Sequence, residues 1–526
     1  MLKKIIQIII LTGIITSVSA QEQKIKTKVK IGEEFKSSKK VYISKLFNSS
    51  EEGFYTLKLR YRRDDEIILN KFNSELKLIK ENAIKFTKKE YQFTIDLKPS
   101  AQIFTSFRNN KHKIHYLFAH PFNESELSLN EPKKVMEIPF ENSSVHNAGN
   151  FDYEISPDSN KILLYSNHPF KANEKEKFSF SVFDKELNLI WNKTVTFPYS
   201  DKLFSLQDFE IDNDGNLYIL GKLYNDKVVE KRNGKPNYKY IILSYKNNGN
   251  VTKEYKVELE NKFIRDLTFG INNQQDFVCA GFYSEKGTTS IKGSYYFEID
   301  HESGKFLKEN TKEFSPSFIS KYKSERTKKK VKRKSKKGKA PELYEYDFDY
   351  LFMKDEGGAL LIGEQYYSYT YSTTTTDANG NTTTHWHTRY VYGDIIVINI
   401  DKSGKTIWQE KIPKKQVVAS YKATNYCSYY PIYRNNALYI VYNDNKKNLE
   451  FSEGQKLSNV TFGKNGIAAI AKLDEQGSMT KDFLFSQKET EFFVQPIMSE
   501  QISQNDLILY GRKRKKQKFS YLKILD

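Results

Sequence analysis

The chain has 526 residues, a formal net charge of +19 and 14% aromatic residues, with 36 Tyr and 36 Phe against 13 Pro. Its apolar set suits pleated, half-buried surfaces, and no long stretch carries a helical apolar period, which excludes a helix bundle. Beyond the N-terminus no run approaches the ~20 apolar residues of a membrane-crossing helix, so no transmembrane segment is expected.

At the N-terminus, Lys3 and Lys4 precede an apolar run from Ile5 to Ile15, and Val18-Ser19-Ala20 supplies small residues. That layout predicts a secretory signal peptide over residues 1–20, with cleavage before Gln21. The mature chain is then expected in the periplasm, at the periphery of the outer envelope, or outside the cell. No Cys follows the cleavage position, which argues against a lipid anchor. Cys279 and Cys427 show no metal-ligand spacing. An oxidising compartment would permit a disulfide between them, but they read as buried small apolar residues.

Ordinarily such a length implies several domains, but internal repetition changes that reading. One unit recurs: a strand, a tight turn, a second strand, a variable loop, a third strand, an acidic or amide turn and a fourth strand. Its third-to-fourth connection reads FSFSVFDKELNLIW at Phe178–Trp191, YYFEIDHESGKFL at Tyr295–Leu307, IIVINIDKSGKTIW at Ile395–Trp408 and IAAIAKLDEQGSM at Ile467–Met479. Asp184, Asp300, Asp401 and Asp474 open these turns, and Gly304, Gly404 and Gly477 help to close them. Asp accepts local backbone hydrogen bonds, while Gly takes positive φ without steric cost. Units are expected near 40–86, 91–138, 151–197, 205–259, 263–313, 345–412 and 425–485, with a partial unit from 491.

The last strand, FSYLKILD, ends at Asp526, the turn position held elsewhere by Asp401 and Asp474. Near the other end, Lys24–Gly32 is an alternating strand without a partner of its own. Pairing the two would close a ring and remove a sheet edge. The expectation is an all-β fold, 21–526, as a single closed β-propeller of eight four-stranded blades, with seven as the alternative.

The turns GKTIWQ at Gly404–Gln409 and LNLIWN at Leu187–Asn192 resemble those of Trp-docking and WD-like propeller repeats, as found in exported bacterial propeller proteins. The resemblance implies a propeller with Trp191 and Trp408 wedged between blades. It brings no cofactor and no catalytic residue, and fold analogy does not give activity.

Strand order sends first-to-second and third-to-fourth turns to one face, where nearly all are short. The other face receives the loops at 168–177, 225–238, 366–394 and 443–466 and the segment 314–344. Binding residues concentrate on such loops, so this face is expected to carry function. Lys321–Lys339 holds twelve Lys or Arg against one acid, including Lys328, Lys329, Lys330, Lys332, Arg333 and Lys334. A block so charged is expected to be disordered when free and to suit anionic lipid, lipopolysaccharide, acidic polysaccharide or an acidic protein. Export argues against a nucleic-acid partner. Residues 366–394 read as a long hairpin turning at Asp377–Asn381, with Tyr367, Tyr369 and Tyr371 on one face and His385 and His387 together on the other strand. With Trp386, these residues suit a glycan or protein of the envelope.

No GxSxG, HExxH, Walker A, GxGxxG or paired-Cys motif occurs. Asp212–Asn216 resembles the start of a calcium loop but lacks its later Glu and reads as a turn. No metal or cofactor is therefore expected. The leading expectation is a non-enzymatic binding or scaffold propeller that engages a macromolecular partner through its loop-rich face. The alternatives are a propeller enzyme acting on carbohydrate or peptide at the central channel, and an envelope-assembly subunit contacting anionic membrane components. Carboxyls, or a carboxyl and a His, converging at the channel with raised pKa would favour the enzyme.

Overall fold

In the computed structural model the described residues are 24–526 apart from 37–40, 61–62, 87–90, 96–101, 141–148, 170–174, 201, 261, 286–289, 338–341 and 452–453. The expected signal peptide and its cleavage position lie outside them. Among the described residues no helix is long and apolar enough to cross a membrane.

The alternating segments form eight antiparallel sheets of four or more strands. They occupy 41–85, 91–139, 151–200, 204–257, 263–313, 346–418, 429–486 and 500–524, and are called here the first to the eighth. Within each, the main strands neighbour one another in chain order. The turns form as their residues dictate. Asp401 Oδ1 accepts from the backbone of Ser403 at 2.9 Å and of Lys405 at 3.0 Å, while Gly404 sits at φ 83°. Asp212 behaves likewise: its carboxylate accepts from Asp214, Asn216 and the Tyr218 hydroxyl, as a turn rather than a calcium loop requires.

The eighth sheet obtains its outer strand from the other end of the chain. Thr27–Ile31 pairs antiparallel with the last strand, Thr27 opposite Ile524 and Ile31 opposite Ser520. Ile25, only 1% exposed, joins the core between the seventh and eighth sheets. Eight apolar clusters lie between the sheets, each filled from two successive ones. The last of these joins Phe54 and Phe72 of the first sheet to Ile508, Tyr510 and Phe519 of the eighth. Phe519 meets Phe54 and Phe72 edge-on, with ring centroids 4.7 and 4.8 Å away. Adjacency therefore runs through all eight sheets and returns to the first.

Both expected wedge tryptophans reach from a fourth strand to the next sheet. Trp191 Nε1 donates to Gly215 O at 3.0 Å and Trp408 Nε1 to Glu475 O at 2.7 Å. Cys279 and Cys427 are buried free thiols, and burial pushes both up to about 12.

Residues 314–337 are ordered differently from expectation. Helix α1, Pro316–Ser320, inserts Phe318 and Ile319 into the cluster between the fifth and sixth sheets. Helix α2, Glu325–Lys336, takes up most of the basic run. The expectation of disorder is corrected here, for a physical reason. Lys and Arg are good helix formers, Ser324 caps the first turn, Glu325 faces the positive end of the helix dipole, and basic residues fill the last turn. The hairpin forms over the expected residues, from Tyr366 opposite Tyr392 to Thr376 opposite Thr382. Its outer side chains stand exposed instead of lying on the sheets.

Candidate functional site

First strands of neighbouring sheets approach one another: Phe151–Ile155 meets Phe204–Ile211, and Phe263–Ile271 meets Tyr346–Met353. These four strands carry Asp152 and Glu154, Asp208 and Glu210, Asp266, and Asp347 and Asp349. Period-two alternation places each acid beside an aromatic or aliphatic residue that packs the other way. Phe209, between Asp208 and Glu210, is 2% exposed.

Three of these strands depart from regular pairing at the acids. Register shifts fall between Leu206 and Asp208, between Ile264 and Asp266, and between Phe348 and Tyr350, where Asp349 is the extra residue. A β-bulge bends its strand and re-aims the side chains at it. The second strands make room with glycine. A Cβ on Gly281 would fall onto the Asp266 carbonyl, and one on Gly363 would lie 2.6 Å from the Asp347 carbonyl. The Tyr295 hydroxyl donates to Asp266 O at 2.9 Å, pinning the bulge.

Two groups of carboxyls result. In the first, burial and then the neighbouring Asp208 and Asp152 push Glu154 up to about 7. Burial, Asp208 and Glu154 push Glu210 up to about 8. Asp208 is raised by burial, against the pull of the Phe209 backbone N–H. Among the described residues no basic side chain pairs with these three. The nearby Tyr165 phenol is raised by burial and by Asp152, Glu154 and Asp208.

In the second group, Asp266 Oδ2 accepts from Phe348 N, 2.6 Å away across the sheet boundary. Burial raises Asp266 and Asp347, with Arg265 opposing the shift in each. Burial pushes Asp349 up to about 7, though its Oδ2 accepts from the Tyr429 hydroxyl at 2.7 Å. Asp349 nevertheless stays open to solvent.

Carboxyls raised toward neutrality beside other carboxyls are suited to proton transfer. Behind Asp349, Lys414 pairs with Glu364 and donates to Gln416 Oε1 at 3.0 Å, with the Lys414 and Glu364 side chains 0% and 5% exposed. This buried pair contributes both signs of charge to the Asp349 environment.

Other groups are less suited. Asp276, Asp300 and His301 present ligand atoms within 4.8 Å of one another, the one metal-competent grouping among the described residues. There Asp276 Oδ1 accepts from His301 N at 3.1 Å and lies 3.0 Å from His301 Nδ1, so the cluster braces a turn. A cleft of about 870 Å³ between the fourth and fifth sheets, lined by Tyr238, Tyr240, Glu258 and Lys262, contains none of the raised carboxyls.

The residues read from sequence as partner-binding stand on the hairpin and on α2, not on these first strands. Tyr367, Tyr369, Tyr371, His385 and His387 share one face of the hairpin, because Tyr371 sits opposite His387 and Thr373 opposite His385. Trp386, opposite Ser372, points the other way and is 73% exposed. Lys328, Lys329, Lys330, Lys332, Arg333 and Lys334 all lie on α2. The carboxyls were overlooked, although a signal exists: D-Y-E at 152–154, D-F-E at 208–210 and D-F-D at 347–349 repeat at the start of three units.

No protein-family model matches the chain, and no curated protein sequence does. Among solved structures it is similar to an oligogalacturonate lyase in complex with manganese, at 8% identity over 96% of this chain and 99% of that one, with a TM-score of 0.36. It is also similar to a Pyrococcus horikoshii acylaminoacyl peptidase, at 11% identity over 80% and 61%, TM-score 0.32. A third is cobalt-substituted Synechocystis ACO, an apocarotenoid oxygenase, at 9% identity over 72% and 74%, TM-score 0.34. In this chain carboxyls with raised pKa stand together on adjoining first strands, the arrangement expected of the enzyme rather than of the binding module. The expectation of a non-enzymatic binding or scaffold propeller is corrected accordingly.

Proposed function

We propose that this chain is an exported enzyme acting on carbohydrate, built as a single closed β-propeller whose blades are the eight sheets. The cyclic order of the apolar clusters and the pairing of Thr27–Ile31 with the last strand support the ring. In such a ring the first strands face a central channel, and their carboxyls line its wall.

One observation carries the catalytic reading: Glu154, Asp208 and Glu210 converge from adjoining strands with no basic partner among the described residues, two of them raised to about 7 and 8. Glycoside cleavage asks for this asymmetry, one carboxyl protonated to assist the leaving oxygen and another ionised as base or nucleophile. Glu210 is the acid in this reading and Asp208 serves as base or nucleophile, with Glu154 raising Glu210 further.

The test is reducing-end release from a panel of polysaccharides by the mature chain and by Glu154→Gln, Asp208→Asn and Glu210→Gln variants. Loss of a general acid or base costs about 10²–10⁴-fold in rate, so Asp208→Asn and Glu210→Gln should fall in that range. Variants as active as the parent, or a parent inactive on every polysaccharide, would overturn the reading. Export is tested separately by sequencing the N-terminus of secreted protein, which should begin at Gln21.

A further inference from the structure

The loop-rich face holds two features that the carboxyl site does not use. Along one face of the hairpin, Tyr367, Tyr369 and Tyr371 follow one another with ring centroids 6.4 and 6.2 Å apart and planes inclined by 29° and 33°. Tyr371 stacks on His387 at 5.2 Å, and the Arg389 guanidinium donates to its hydroxyl at 3.1 Å. The three tyrosines are 36%, 47% and 36% exposed, so the strip lies open to water. Its other neighbours on that face are Arg389, His387, His385 and Thr373, and the aliphatic one, Val391 opposite Tyr367, is buried. A protein-docking face would add apolar anchors. Flat ring faces edged by hydroxyls suit pyranose rings, whose C–H faces meet the negative face of an aromatic ring while their hydroxyls find partners at its rim.

Helix α2 starts at the foot of this hairpin. Lys323, just before the Ser324 cap, pairs with Asp394 at 3.5 Å, at the inner end of the hairpin. Tyr322 meets Phe451 of a neighbouring loop at 5.8 Å. Over about 18 Å of helix, eight Lys or Arg stand against Glu325 alone. Lys329, Lys330, Lys332, Arg333 and Lys334 are exposed, and Val331 is half-buried. With no large apolar side chain on its outer face, α2 cannot seat itself in a bilayer as an amphipathic helix does.

We propose that the tyrosine strip and α2 form an accessory site for an acidic polysaccharide of the polyuronate class. Calling that polymer the substrate rests on the enzymatic reading above; its binding does not. Charge draws the polymer to α2, and stacking on the strip distinguishes a sugar chain from other polyanions. Carboxyls that hold their protons toward neutral pH do not turn such a chain away from the channel.

Binding of the full mature chain to alginate, a polyuronate, and to dextran, an uncharged chain, tests this by calorimetry at low and physiological salt. Alginate should bind and dextran should not, and affinity should fall steeply as salt rises. The Tyr367→Ala/Tyr369→Ala/Tyr371→Ala variant should bind alginate at least about tenfold more weakly, as loss of an aromatic anchor does. A variant with Gln at positions 329, 330, 332, 333 and 334 should lose as much. Alginate binding that ignores the tyrosine variant, or is matched by phosphatidylglycerol vesicles or single-stranded DNA, overturns the proposal, as does no binding at all. The Glu210→Gln variant separates the two readings. If it binds alginate like the parent and the parent cleaves none, the accessory site stands and the enzymatic reading for this polymer falls.

Discussion

The first strands and the long hairpin are both alternating, aromatic-rich β-segments, yet they end in opposite states. Between first strands, neighbours cover the aromatic side: Phe209 is 2% exposed, and the Asp208 and Glu210 carboxyls beside it lose enough water to be raised. In the hairpin nothing among the described residues covers Tyr369, which is 47% exposed. The same alternation sets up chemistry where a second sheet closes over it and a contact surface where none does. What decides between them is the neighbour, not the strand.

This contrast breaks most readily where the first and eighth sheets meet. Phe519→Ala removes a fully buried ring from the cluster joining the first and eighth sheets, and should cost about 3–5 kcal/mol in denaturant unfolding. Lys414→Met leaves Glu364 buried without its partner and should cost a similar ~3–5 kcal/mol, with Glu364→Gln restoring part of it. A smaller loss is expected from Gly281→Ala, which forces the Asp266 bulge apart; a shift in the pH profile of activity should accompany it. Replacing Tyr367 and Tyr369 by Ser should move the unfolding midpoint hardly at all, as exposed substitutions do, within about 0.5 kcal/mol. A large loss there would mean that the hairpin is part of the framework after all.

The pH dependence sharpens the same comparison. Glu154 and Glu210 bind protons more tightly in the folded chain than in the unfolded one, where 4.5 is the ordinary value. Their favourable contribution is complete below that value and is lost as pH rises through about 7 and 8. Thermal stability should therefore fall across this window, and the double Glu154→Gln/Glu210→Gln variant should flatten the slope.

Much of the framework was legible from local chemistry. Asp401 and Gly404 mark a turn wherever they stand, and Lys24–Gly32 lacked any partner but the last strand. The hairpin's register follows from its Asp377–Asn381 turn. The site was less legible because its signal is split among units: D-Y-E, D-F-E and D-F-D each read as an ordinary exposed alternation. Only the packing of one first strand on the next turns them into a cluster. The bulges were hidden too, since glycines such as Gly281 and Gly363 act through a backbone that approaches from another strand. Helix α2 was missed because charge density was weighed above the Ser324 cap and the helix-forming run behind it.

The most direct test of the account is a site-resolved carbon NMR titration of the glutamate carboxyls in the mature chain, assigned with the Glu154→Gln and Glu210→Gln variants. Glu154 should titrate near 7 and Glu210 near 8, with Glu210 falling in the Glu154→Gln variant. Midpoints at the ordinary 4.5 for both would leave the first strands without an acid at neutral pH and would contradict it.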